Sequence, residues 1–141
     1  MKFSKLFRGF ALGASVLLLL VGMQSCRPCL DALSGRNLDR LDTELLALVS
    51  KGGEPYGNHQ QEIEEMKKFL SESTAHSKSV SRNAEAAGIW ASIEKQFGGY
   101  TETWQRQGKH SPISVDENAR IMERSVNSLK NVENGKKRCS I

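Results

Sequence analysis

None of the compact spacings that announce catalysis occurs in this chain. There is no G-x-S-x-G nucleophile elbow, no H-E-x-x-H helix and no phosphate-cradling glycine loop. The histidines, His59, His76 and His110, are scattered. Only Glu72 with His76 has the i, i+4 spacing that sets two ligands on one helical face, and that pair reads as a solvated surface pair. A C-x-x-C with a later H-x-x-x-H is missing too, so no metal, cofactor or catalytic residue is expected. Apolar and polar residues nowhere alternate with period two over a useful length, which argues against strands. N-x-S/T acceptor sites are absent as well.

The apolar run that is present is short. Lys2, Lys5 and Arg8 precede 15 uncharged residues, Gly9 to Met23, which stop at Gln24-Ser25-Cys26. A basic start, a short apolar stretch and a small residue at its end make an export signal. About 20 residues are needed to cross the roughly 30 Å hydrocarbon core, so a permanent signal anchor is the weaker alternative. An ordinary cleavage site wants small residues at the last and third-last positions; Ser25 fits and Met23 does not.

Gly22-Met23-Gln24-Ser25-Cys26 resembles the lipobox of bacterial lipoproteins, with a small residue directly before the cysteine. The resemblance covers the leader only. It implies that Cys26 becomes the first residue and carries a thioether-linked diacylglycerol and an amide-linked acyl chain, a palmitate-type anchor that makes the membrane a partner. Arg27 in place of an aspartate implies sorting to the outer membrane, facing the periplasm, rather than retention at the inner membrane.

Cysteine arithmetic agrees with that reading. Three cysteines, Cys26, Cys29 and Cys139, leave one thiol over in an exported protein, and acylation of Cys26 removes it. Cys29 and Cys139 are then free to form a disulfide in an oxidising compartment. The rival is a redox Cys26-Arg-Pro-Cys29 pair. Such motifs sit in strand-helix-strand units, whereas the residues after Cys29 read as helix.

The leader holds 3 of the 20 basic residues and none of the 16 acidic ones, so the 116-residue mature chain carries a net charge of +1. Without a basic stripe, nucleic acid is not an expected partner. The length suits one domain. Six aromatics remain after the leader, so its core is lean.

The rest reads as all-α, a bundle of about four mostly antiparallel helices. We divide the chain into a signal peptide (1–25), a tether (26–36), the bundle (37–135) and a basic tail (136–141). Leu38, Leu41, Leu45, Leu48 and Val49 recur at helical steps until Gly52, Gly53 and Pro55. Asn58 with Gln61 resembles a capping pair before Ile63, Met66, Phe69 and Leu70. Residues 71–81, rich in serine, read equally as a break or a polar extension. Trp90, Ile93, Phe97, Tyr100 and Trp104 then form one stripe, with an end or bend expected at Gly98-Gly99. Ser114-Val115-Asp116-Glu117 matches a capping box, and Met122, Val126, Leu129 and Val132 trace a seam that stops at Asn134-Gly135.

Two functional classes follow. The first is a non-catalytic envelope protein that binds another protein, with Trp104 and Tyr100 as candidate contacts at the far end of the aromatic stripe. The alternative is a small periplasmic enzyme or a thiol-active protein using Cys29. Lys136, Lys137 and Arg138 are candidate membrane contacts, because a Cys29–Cys139 bond would hold them close to the acylated Cys26.

Overall fold

The computed structural model describes residues 29–138, with strand β1 at Cys29–Leu30. Helix α1 covers residues 32–50 as one rod: α-helix at Ala32–Arg40, a π turn at Leu41–Leu45 and α-helix again at Leu46–Ser50. Short 3-10 turns at Lys51–Gly53 and Tyr56–Asn58 lead to α2, Gln60–Ser79. Helices α3, Ala84–Gln107, and α4, Pro112–Asn134, follow. Strand β2, Lys137–Arg138, pairs in parallel with β1, with Cys29 opposite Lys137 and Leu30 opposite Arg138.

The chain is therefore a small all-α bundle of four helices among the described residues. Neighbours in sequence pack side by side, and α4 returns against α1 to close the ring. Because the helices run up and down, the molecule has two ends. Both ends of the described segment, residues 29 and 138, and the α2–α3 turn meet at one, called here the terminal end. Residues 51–59 and 108–113 form the other, the tip. The 24 residues of α3 separate them by about 36 Å. No helix of the described residues is long and apolar enough to cross a membrane.

The seams anticipated from helical spacing form one core, with Leu41, Leu45, Val49, Ile63, Leu70, Ile93, Phe97, Val126 and Leu129 fully buried. Phe69 meets Trp90 edge-on at 6.2 Å, and the Arg40 guanidinium covers the Phe69 ring at 4.4 Å. In the π turn the Thr43 hydroxyl donates to the Asp39 carbonyl (3.0 Å), which supplies a partner where the helix widens.

Several boundaries differ from the sequence reading. Helix α1 begins within the expected tether, because Asp31 caps it: its carboxylate accepts from the Ser34 amide at 2.7 Å. Residues 71–79 are helix, since Ser73, Thr74 and Ser77 are buried on the packed side of α2, where short side chains fit. Gly98 and Gly99 lie inside an unbroken α3, held by the buried residues on either side of them. Helix α4 starts earlier than the Ser114 box. Its cap is Ser111, whose hydroxyl accepts from the Ser114 amide at 3.2 Å, with Pro112 in the first turn, where its missing N–H leaves no internal bond unmade. Asn58 is no cap either; it belongs to a 3-10 turn that leads into His59.

Candidate functional site

At the terminal end, Asp31 gathers its neighbours. Besides the Ser34 amide, its carboxylate accepts from the Ser34 hydroxyl (3.1 Å) and from His76 Nε2 (3.1 and 3.3 Å), which ties the start of α1 to the end of α2. Partial desolvation opposes ionisation of Asp31. The Ser34 amide, His76 and the Ser34 hydroxyl together outweigh it and hold the carboxyl below its ordinary value of 3.8. Serine, histidine and aspartate are all present, yet the geometry is not that of a nucleophilic triad. Ser34 and Asp31 both approach the same ring nitrogen, and the serine hydroxyl points to the carboxylate. Glu72 takes no part; it lies 3.9 Å from Lys68.

A second cluster lies at the same end. Lys136 Nζ donates to Glu133 Oε2 at 2.6 Å and to Asn83 Oδ1, and Asn83 Nδ2 donates to the Ser77 carbonyl (3.0 Å) and hydroxyl (2.8 Å). The Glu133 and Lys136 side chains are only 2% and 6% exposed. Lys136 is therefore corrected from candidate membrane contact to internal ion-pair partner: its charge is satisfied inside the bundle. The backbone of Lys137 and Arg138 pairs with β1. Cys29 lies opposite Lys137 in that ladder, so the chain reaches Cys139 two positions past the register partner of Cys29. Cys26 and Cys139 themselves lie outside the described residues.

The tip is built from aromatic rings and imidazoles. Tyr100 Oη donates to the Val49 carbonyl at 2.7 Å, Trp104 Nε1 to the Glu54 carbonyl at 2.8 Å and His110 Nε2 to the Tyr100 carbonyl at 3.1 Å. His110 stacks on Tyr100 with centroids 4.3 Å apart, and Tyr56 meets Trp104 edge-on at 5.9 Å. His59, also buried, donates from Nε2 to Glu54 Oε2 at 2.7 Å. On its other side lies Glu62, whose carboxyl is lowered first by its bond to Lys51. Burial pushes the Tyr100 phenol up to about 12, so it stays a donor at neutral pH.

This arrangement corrects the partner-contact reading of Trp104 and Tyr100, which are 0% and 3% exposed. Trp104 looked terminal because its neighbours Gln105 and Arg106 are polar. The connection at 51–59, however, folds over it, and that cover comes from a segment about fifty residues earlier in the chain. The three clusters do the same chemical work, in that their N–H and O–H groups fasten carbonyls and side-chain oxygens of different segments together.

The sequence reading missed Asp31, the packing of Gly52 against Tyr100 and the roles of His59, His76 and His110. Asp31 had a usable signal, an Asx residue three before Ser34 at a helix start. For the histidines the spacing carried none, because their partners are distant in sequence. Among the described residues no three His, Cys, Asp or Glu side chains gather to hold a metal. A groove of about 510 Å³ runs between α3 and α4, lined among others by Ser92, Gln96, Gly99, His110 and Asn118. Among the described residues two large apolar side chains are exposed, Leu33 (41%) at the terminal end and Ile113 (80%) at the tip. No protein-family model, curated protein or solved structure matches this chain.

Proposed function

We propose that this protein is a lipid-anchored protein of a bacterial cell envelope, non-catalytic, whose bundle binds another envelope protein. In this reading the leader is removed before Cys26, the acylated Cys26 enters the bilayer, and the bundle stands in the periplasm, at the outer membrane. The observation that supports it most is the convergence of residues 29 and 138, the two ends of the described segment, on one end of the bundle. An anchor joined by residues 26–28 then reaches only about 10 Å before the fold begins. The tip, with the exposed Ile113, is held roughly 36 Å further out, where a partner can reach it.

The same convergence favours a Cys29–Cys139 disulfide over a Cys26–Cys29 pair, since β2 carries the chain back beside Cys29. The test is metabolic labelling with a palmitate analogue. The protein should incorporate label, and Cys26→Ser should abolish both the label and removal of the leader. An unlabelled protein, or a Cys26→Ser protein that fractionates and is processed like the natural one, refutes the anchor. Crosslinking through Ile113→Cys in intact envelopes should capture one defined protein if the tip is the partner face.

A further inference from the structure

Charge is distributed unevenly along the bundle axis. The terminal end (29–36, 75–86 and 131–138) holds six basic residues, Arg36, Lys78, Arg82, Lys136, Lys137 and Arg138, against three acidic ones. The tip (47–63 and 100–117) has the reverse excess, three basic against five acidic. Composition hides this, because residues 29–138 contain 16 of each sign.

Two of the three acids at the terminal end are engaged by the fold. Glu133 is buried against Lys136, and Asp31 faces the Ser34 amide and His76. The end as a whole keeps its formal excess of three positive charges, six basic residues against three acidic ones. Arg36, Lys78 and Arg82 are exposed, and so is Leu33 on the first turn of α1.

We infer that the terminal end of the bundle is a docking face for an anionic lipid bilayer, which holds the molecule end-on with its acidic tip outward. This rests on the acylation of Cys26, which places that end within about 10 Å of the surface. Phosphate headgroups attract the surplus Lys and Arg, and Leu33 enters the interfacial region. The acidic tip is repelled by the same surface, so both halves of the charge distribution favour one orientation.

The test uses the acylated mature protein in vesicles of phosphatidylcholine alone or mixed with phosphatidylglycerol, read by amide hydrogen exchange. Exchange at 32–36, 79–85 and 135–138 should be slower in the anionic vesicles by at least about fivefold, the factor equivalent to one basic residue near such a surface. Roughly 0.5 M salt, which shortens the screening length to a few ångströms, should remove the difference. Arg36→Glu with Lys78→Glu, two exposed positions, should abolish it. Arg120→Glu with Arg124→Glu, which change the net charge equally but halfway along α4, should preserve it. Equal exchange in both vesicle types overturns the docking face while leaving acylation intact. A protein without lipid mass that floats with neither vesicle overturns the anchor and the docking face with it.

Discussion

Gly52 shows how much one residue can decide. A Cβ at this position would lie 1.7 Å from Tyr100 Oη and 2.9 Å from Tyr100 Cζ. The ring has little freedom to retreat, because its hydroxyl is bonded to Val49 and its face is stacked on His110. Gly52→Ala should therefore destabilise the fold by about 1–3 kcal/mol, as overpacking does, measured by urea unfolding. With Tyr100→Phe in the background the added cost should shrink, and that non-additivity would identify the clash. Asp31 acts by charge. Its folded carboxyl lies below the ordinary value of 3.8, so the folded state binds this proton less tightly than the unfolded chain does. Its contribution is present above that value and is lost as pH falls through the folded one. Asp31→Asn keeps a capping side chain and should flatten the loss of thermal stability in acid; an unchanged acid limb would show that Asp31 does not drive it.

At the scale of elements, the end of α4 is fastened through a buried ion pair. Removal of Lys136 alone leaves the Glu133 carboxylate buried without its cation and Asn83 Oδ1 without its donor. Lys136→Met should therefore cost about 3–5 kcal/mol, whereas Glu133→Leu with Lys136→Met, which strands no charge, should cost much less. Equal losses in the two proteins, by denaturant midpoint, would contradict this account. The helices themselves were legible in the sequence, because each buries a stripe at three- and four-residue steps. Their ends were less so. The Ser114 box was a competent signal, yet Ser111-Pro112 started α4 one turn sooner. Residues 71–79 stayed open because propensity opposes helix there, and burial against the rest of the bundle prevailed.

For the molecule as a whole, the parallel ladder of Cys29–Leu30 with Lys137–Arg138 makes the fold nearly a closed circuit. A Cys29–Cys139 bond would close a loop of about 110 residues and constrain the unfolded chain by up to about 4.7 kcal/mol in the chain-entropy model. Non-reducing mass spectrometry of the mature protein should find no free thiol, and Cys139→Ser should lower the melting temperature markedly. Two free thiols would refute the bond. The charge separation from terminal end to tip belongs to this scale too, because it sums residues from all four helices and their connections.

The sequence alone determined the class of fold and most of its core, since helical periodicity and polar connections are local properties that survive without tertiary context. The proposed leader and the anchor at Cys26 rest on the sequence alone, because export signals are read as linear chain. Only the tertiary structure decided that Trp104 and Tyr100 are interior, that Lys136 is internally paired, and that Gly52 must lack a side chain. Each of those depends on a segment far off in the chain arriving within a few ångströms, and spacing along the sequence holds no record of that approach.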